Sequence, residues 1–299
     1  MLNDAHCHFF SQRFLETLGR EAGDRLPAAD ARTVADKLGW EPPGTPEELA
    51  DRWVQELDRY QVGRAVLIAS VPGDEESVSA AVRRHPSRFI GFFMVNPLAA
   101  GAVDRVRHAV GTLGLRGVCL FPAMHRYSLL DPRVEAVIDG AARPGCAIFI
   151  HCGVLSVGAR RKLGLPSRFE SRHGQPMDVQ ALAANWPGLP FIIPHFGAGF
   201  FREALMAADM CPNIHLDTSS SNGWIAYFPG LRLPDVFRTS RSVVGAERLL
   251  FGTDSSFFPR GWQHAIRDAQ LAAARDAGFT QSEIELVFGG NLHRLFPLR

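Results

Sequence analysis

The sequence predicts a (β/α)8 barrel, and three observations lead to this fold class. Eight apolar, β-rich runs alternate with helix-like stretches, a pattern typical of parallel strands covered by helices on their outer face. A single α/β barrel routinely fills a chain of 299 residues. No early strand is followed by a Gly-x-Gly-x-x-Gly turn, which counts against a dinucleotide-binding sheet. We therefore expect one barrel domain over residues 1–299.

The first strand is predicted at the start of the chain, in the run Asp4-Ala5-His6-Cys7-His8. Side chains alternate between the two faces of a strand, so His6 and His8 should share a face and Cys7 should face the outer layer of the barrel. Two imidazoles on one face could hold one cation, although the same pattern also suits a solvated edge strand. A catalytic metal site would need further ligands from elsewhere in the chain.

Helical segments follow this strand before the regular alternation begins. A polar, helix-prone insertion occupies about residues 11–40 and could cover the mouth of a site. Thr45-Pro46-Glu47-Glu48 combines an N-cap, a proline at the first helical position and a capping-box glutamate, which predicts a helix as far as about Tyr60. Near the end of the chain, Thr280 and Glu283 form a second possible capping box.

Seven further strand–helix units complete the barrel. The strands are predicted at Arg64–Ser70, Arg88–Asn96, Arg116–Phe121, Cys146–Cys152, Pro190–His195, Asn213–Thr218 and Arg248–Asp254. The helices are predicted at Asp74–His85, Gly101–Leu113, Pro132–Ala142, Met177–Trp186, Phe201–Ala208, Leu233–Val243 and Gln263–Ala277, with a long loop after the fifth strand.

Composition excludes several classes of partner. The chain has 32 lysines and arginines against 31 acidic residues, so its formal charge of +1 gives no electrostatic reason to expect nucleic acid or an anionic membrane. The five cysteines include no Cys-x-x-Cys pair, and no run approaches the length of a membrane span. We expect a cytoplasmic protein with a small-molecule substrate.

Polar side chains fall at the ends of several predicted strands. In a (β/α)8 barrel the chemistry lies at the carboxyl ends of the strands, so residues from different strands meet on one rim. The first strand supplies two histidines and three other strands supply one side chain each. These candidate residues are His6, His8, His151, His195 and Asp254. Asn96, Asp217 and Ser219 also follow strands, whereas His215 lies within one.

Four short motifs resemble a known family. DAHCH at the start, Ile150–Gly153 (IHCG), Pro194–Gly197 (PHFG) and Phe251–Asp254 (FGTD) are similar, in this order, to the signature of the amidohydrolase superfamily. Asn213–Ser219 (NIHLDTS) and the late Gly290-Asn291 also resemble its amidohydrolase-2 branch, which includes aminocarboxymuconate semialdehyde decarboxylase.

The resemblance implies a ligand set for one divalent metal, most often Zn2+, with Mn2+ as the alternative. Its ligands would be His6, His8, His151 and Asp254, and His195 would lie beside the water or the substrate. Asp4 would be a structural residue. The only lysines are Lys37 and Lys162, and neither is placed to bridge two metals, which favours one ion. A homodimer is expected by analogy.

Two reactions fit these residues. A hydrolase would use water to attack an ester, lactone or amide carbonyl of a small carboxylated or cyclic substrate, with His195 and Asp254 moving protons. A non-oxidative decarboxylase of an aromatic or unsaturated acid would use the same metal. Several such decarboxylases resemble one another in a Gly-Glu-x-Leu-Pro pattern after strand six, where this chain has Gly197-Ala198-Gly199-Phe200-Phe201, so we favour the hydrolase. A barrel that binds metal and ligand without turnover is the third possibility.

The loop after the fifth strand is rich in cations, which could bind a substrate carboxylate. It contains Arg160, Arg161 and Lys162, and we select Arg168 and Arg172 as candidate substrate-binding residues. A solvated loop explains the same composition. Aromatic residues just past strand ends could line an apolar pocket; these are Phe9, Phe10, Trp224, Phe257 and Phe258.

Overall fold

The protein forms a (β/α)8 barrel, as the sequence predicts. In the computed structural model, which describes residues 1–143 and 145–298, eight parallel strands follow one another around the barrel in chain order. The strands are β1 (Leu2–Phe9), β2 (Val62–Ala69), β3 (Phe89–Val95), β4 (Gly117–Leu120), β5 (Ala147–Ile150), β6 (Phe191–Ile193), β7 (Ile214–Asp217) and β8 (Leu249–Leu250).

Helices alternate with these strands. Before β2 lie α1 (Gln12–Ala22), α2 (Ala31–Leu38) and α3 (Pro46–Arg59), and between β2 and β6 lie α4 (Glu75–Arg84), α5 (Ala102–Gly111), α6 (Pro122–His125), α7 (Pro132–Ala141), α8 (Gly158–Lys162) and α9 (Pro176–Asn185). The remaining helices are α10 (Phe201–Met210), α11 (Leu233–Val244), α12 (His264–Asp276), α13 (Gln281–Glu285) and α14 (Asn291–Leu295). Both predicted capping boxes form, at the start of α3 and of α13.

The barrel closes between β1 and the residues that follow β8. Ala5 N donates to the Phe251 carbonyl (2.8 Å), Asp254 N to the His6 carbonyl (2.9 Å) and His8 N to Ser255 O (2.7 Å). The eighth strand is shorter than the predicted Arg248–Asp254, because its ladder with β7 ends at Leu250, opposite Asp217, and Phe251 N donates to the Val287 carbonyl instead. Asp254 itself has a left-handed conformation (φ 61°). These bonds hold the eighth strand end against the first, where the candidate ligands lie.

β1 contains a β-bulge, so its side chains do not alternate strictly between the two faces as expected. The register shifts between Asp4, which pairs with Ala65, and Cys7, which pairs with Leu67. Ala5 packs in the barrel interior and the neighbouring His6 ring lies 5.0 Å from the interior Phe149 ring, so two consecutive side chains point inward. Cys7 packs in the layer between strands and helices, as expected.

Three hydrophobic clusters organise the structure. One fills the barrel interior, where Leu292 and Phe296 pack after the last strand, and a larger one joins the strands to the surrounding helices. The third joins the insertion after β1 to the insertion after β5, and we call these two segments, residues 11–40 and 157–165, the cap. Arg160 Nη1 bonds Glu21 Oε2 (2.5 Å) and Lys162 Nζ bonds the Leu38 carbonyl (3.1 Å), so polar contacts also join the two halves of the cap. No described helix is long and apolar enough to cross a membrane.

A buried carboxyl group joins the cap to the barrel. Asp74 is 1% exposed, and it accepts hydrogen bonds from the Ser11 and Ser77 hydroxyls, each at 2.6 Å. Ser11 is also the N-cap of α1, because its hydroxyl accepts from Phe14 N. Burial raises the pKa of Asp74 to about 6, although the two hydroxyls partly oppose this shift.

Asp74→Asn should remove one source of pH-dependent stability. A carboxyl group with a raised pKa binds its proton more tightly in the folded chain, so this group should add about 1 kcal/mol of stability as the pH falls from about 7 to about 5. The asparagine cannot titrate, so the variant should gain less stability over this interval, as measured by urea unfolding at both pH values. An equal pH dependence in the two proteins would contradict the role assigned to Asp74.

Candidate metal centre and active site

His6 is held by the end of β7. Its ring is fully buried, and Nδ1 lies 2.7 Å from Asp217 Oδ2. A carboxylate oxygen accepts, so Nδ1 carries the proton and the lone pair is on Nε2. This Nε2 lies 3.3 Å from His8 Nε2 and 3.6 Å from Asp254 Oδ1.

His8 has the same tautomer for a similar reason. Its Nδ1 lies 2.7 Å from Ser70 Oγ, and the Ser70 hydroxyl donates its one proton to the Ile68 carbonyl at 3.0 Å. Nδ1 therefore donates and the lone pair is on Nε2, which lies 3.0 Å from Asp254 Oδ1. Ser70 follows β2, and the sequence analysis did not identify it; its position just past a strand end was the available signal.

His195 faces the centre from β6. Its Nδ1 lies 3.2 Å from the Ser219 carbonyl oxygen and 2.9 Å from Ser219 Oγ. A carbonyl oxygen can only accept, so Nδ1 carries the proton and Nε2 is unprotonated when the ring is neutral. Nε2 points at His151 Nε2, 3.1 Å away. His151 stacks on Phe121 at 4.1 Å, and its Nδ1 is buried without a hydrogen-bond partner.

The turn that carries His195 is left-handed throughout. The φ angles of residues 195–199 lie between 46° and 102°, and three of the five residues are not glycine. Such a conformation costs about 1 kcal/mol or more for each non-glycine residue. Gly153, from the IHCG motif, lets the loop after β5 approach this turn: a Cβ there would lie 2.3 Å from the Ala198 carbonyl oxygen. Val154 N then donates to the same oxygen at 2.8 Å.

Asp4 has a structural place, as the resemblance implied. Its carboxylate accepts from Thr253 Oγ1 (2.6 Å), Trp262 Nε1 (2.7 Å) and the backbone N of His6 (2.8 Å). All of these groups are buried. Asp4 therefore fixes the start of β1 against the loop that carries Asp254.

Burial and neighbouring charges set the protonation of these groups. Burial lowers the pKa of His151 well below its ordinary value, with His195 and His6 adding to the effect, and burial also lowers the pKa of His195. Burial would raise the pKa of Asp254, but the neighbouring imidazoles of His8, His6 and His195 bring its pKa below the usual range. Burial opposes protonation of His6, whereas the Asp217 carboxylate outweighs it and raises the pKa of His6.

These side chains fit a divalent cation. Their donor atoms form two groups, each within 4.8 Å, that share His6: one with His151 and His195, the other with His8 and Asp254. The structure thus brings the four sequence-predicted ligands and His195 together. In the neutral tautomers assigned above, the Nε2 atoms of His6, His8 and His195 carry no proton, and their lone pairs face this centre. Neutral imidazoles and a carboxylate suit zinc and similar first-row metals.

A cavity of about 880 Å3 opens above the centre, beneath the cap. Arg168 lines it, but Arg172 does not: Arg172 is 76% exposed and pairs with Glu170 at 2.6 Å. Of the aromatic candidates, Phe10, Trp224 and Phe257 line the cavity. Phe9 and Phe258 pack in the strand–helix layer instead.

Arg260 is a cavity residue that sequence reasoning missed. It lies in the loop after β8, and its Nη2 donates to Ser256 Oγ at 2.6 Å and to the Asp254 carbonyl at 3.3 Å. The sequence signal that could have identified Arg260 was its position three residues after Phe257, a candidate cavity residue.

The fold and the site define a barrel with a histidine- and aspartate-rich candidate metal centre. The chain belongs to the Amidohydrolase family, whose sequence profile matches residues 4–298. It is also 32% identical over 138 residues to Protein fluG of Emericella nidulans; this match covers 41% of the chain and 15% of that longer protein.

Solved structures with the same fold include enzymes of both expected reaction types. A 5-carboxyvanillate decarboxylase from Sphingomonas paucimobilis is 16% identical, with a TM-score of 0.65 and coverage of 100% of this chain and 99% of that one. A second, from Novosphingobium aromaticivorans, holds manganese and 4-hydroxy-3-methoxy-5-nitrobenzoic acid (15% identity, TM-score 0.66, coverage 99% and 96%). A probable 2-pyrone-4,6-dicarboxylic acid hydrolase from Acinetobacter baumannii has 15% identity, a TM-score of 0.58 and coverage of 99% and 98%.

Asp217→Asn should weaken metal binding. The carboxylate orients His6 and fixes its tautomer, and loss of such a partner typically lowers metal affinity by about 10- to 100-fold. Competition with a chromophoric chelator for Zn2+ or Mn2+ would measure the change. Asp104→Asn is the matched control, since the Asp104 side chain is 87% exposed. Equal metal affinity in the Asp217 variant and the wild type would show that Asp217 does not position His6 for a metal.

Proposed function

We propose that this protein is a metal-dependent hydrolase that acts on an ester, lactone or amide bond of a small carboxylated or cyclic substrate. The observation that carries the proposal is the convergence of four imidazoles and one carboxylate beneath a cavity large enough for a small molecule. His6, His8, His151 and Asp254 would hold one divalent ion, and we propose Zn2+, with Mn2+ as the alternative. When bound, such an ion lowers the pKa of water toward neutrality and polarises a carbonyl group.

The chain's own residues would move the protons. His195 presents an unprotonated Nε2 to the centre, so it can accept a proton from the attacking water and return it to the leaving group. Its Nδ1 proton stays on the Ser219 side, which keeps the ring in this orientation. Asp254, one-third exposed, faces the same cavity and can assist the first transfer.

Decarboxylation is the second candidate function, and two solved relatives of the same fold carry that activity in their names. The turn after β6 argues against it here. Residues 197–201 read Gly-Ala-Gly-Phe-Phe, so this turn lacks the acidic side chain of the Gly-Glu-x-Leu-Pro pattern. Hydrolysis is therefore preferred, while the homodimer and the cytoplasmic location stay predictions.

Elemental analysis should find about one zinc or manganese per wild-type chain and a near-complete loss in a His6→Ala/His8→Ala variant, because two of four ligands are gone. His108→Ala is the control, since His108 is half-exposed on α5. Absence of bound metal from the wild-type protein after reconstitution would refute the proposed function at its centre.

His195→Ala should lower the turnover number by about 100-fold or more, the usual contribution of a general acid–base group, while the metal content stays nearly unchanged. The substrate is found first, by a screen of carboxylated esters, lactones and amides, and of aromatic acids. Incorporation of oxygen from 18O-labelled water identifies hydrolysis, and carbon dioxide release without it identifies decarboxylation. An undiminished rate in the variant would remove His195 from the mechanism.

A further inference from the structure

Arg260 is a cavity-lining cation that its own loop holds in place. Its guanidinium carbon lies 4.4 Å from the centroid of the Phe257 ring, over the ring face. Nη2 is fixed by the Ser256 hydroxyl and by the Asp254 carbonyl. Nη2 is thus bound by the loop. Nη1 and Nε remain available to a ligand as separate donors, because both edges of a guanidinium that could chelate a carboxylate include Nη2.

An aromatic column supports this position from the cap. The rings of Phe14 and Phe10 stack at 4.0 Å, Phe10 and Trp40 at 5.4 Å, and Trp40 and Phe257 at 4.3 Å, with interplanar angles of 3° to 11°. The column begins in α1 and ends beneath Arg260. All four rings line the cavity, so they also give it an apolar wall.

Arg260 makes no direct ion pair in the part of the chain that the structure describes, although the Asp254 carboxylate interacts with its charge at longer range. Across residues 1–143 and 145–298, no carboxylate oxygen lies within 4.0 Å of its guanidinium nitrogens. Other cavity arginines differ in this respect, because Arg160 pairs with Glu21 and Arg126 pairs with Glu170. Arg168 also lacks an ion pair in the described structure. Unlike Arg260, it does not lie over an aromatic ring or donate to a hydroxyl there.

We propose that Arg260 is the carboxylate-binding residue of the site and that the ligand is a planar, largely apolar carboxylate. The free Nη1 of this guanidinium can donate a charge-assisted hydrogen bond to a carboxylate oxygen. Arg260 contacts the backbone of Asp254, so the carboxylate and the reacting group lie only a few bonds apart in the substrate. This inference rests on the proposed function and names its substrate class.

Benzoate and benzamide test the proposal, because they share a ring and differ in charge. Isothermal titration of metal-depleted wild-type protein should show tighter binding of benzoate. Arg260→Ala should weaken benzoate binding by about 10- to 100-fold and leave benzamide nearly unchanged, as expected for the loss of a charge-assisted hydrogen bond. Phe257→Leu should give a smaller loss of benzoate binding, since it removes the ring beneath the guanidinium and keeps an apolar side chain.

Arg172→Ala is the matched control, because this arginine lies outside the cavity and pairs with Glu170; it should bind benzoate as the wild type does. If the wild-type protein does not distinguish benzoate from benzamide, or if Arg260→Ala weakens both ligands equally, the proposal is wrong. The titration is done without metal, so it separates this inference from the proposed function. Loss of the benzoate preference would refute Arg260 alone, whereas absence of metal binding would refute the hydrolase.

Discussion

The Ser219 hydroxyl is the contact on which the candidate site depends. Ser219 Oγ lies 2.9 Å from His6 Nδ1, from His195 Nδ1 and from Asp217 Oδ2. A hydroxyl has one proton, and the carboxylate is the acceptor that takes it, so Ser219 accepts from His195. Two histidines from different strands are thus oriented by the hydrogen-bonded pair of Asp217 and Ser219 at the end of β7. Because these side chains are shielded from water, loss of any one of them would leave a buried polar atom of another without a hydrogen-bond partner.

The backbone at the site is held in conformations that the sequence alone would not favour. The left-handed turn at 195–199 and the left-handed Asp254 are both costly, and both direct a side chain to the same centre. Close packing enforces them: Gly252 approaches so closely that a Cβ would lie 2.8 Å from Asp217 Oδ1 and 2.9 Å from the His6 Cβ. The glycines of the IHCG and FGTD motifs therefore keep space for the turn after β6 and for the candidate ligand His6.

Much of the fold could be predicted from the sequence, because apolar runs, capping boxes and strand-end positions are local signals. The barrel, its eight strands and the meeting of four histidines with Asp254 follow from such signals. The bulge in β1 could not be predicted, since it depends on the register with β2. The pairing of His6 with Asp217 joins residues 211 positions apart, so its geometry also required the structure. Of the two candidates from the cation-rich loop after β5, Arg168 lines the cavity and Arg172 does not, and composition does not show that Arg172 turns outward to Glu170.

Strands and loops contribute different parts of the site, which explains why the candidate metal ligands were predicted and the cavity arginine Arg260 was not. Strand ends are fixed by the barrel ladder, so the groups that would hold a metal can be found from strand positions. Loops and the cap supply the cavity wall, and there an arginine becomes a binding group only when its neighbours leave it unpaired and hold it still. Arg260 makes no ion pair in the described structure, and the Phe257 ring helps to hold it in place. This ring packs in turn against Trp40 of the cap. A change in the cap can therefore alter the wall of the cavity and the support of Arg260 without a change in any candidate metal ligand.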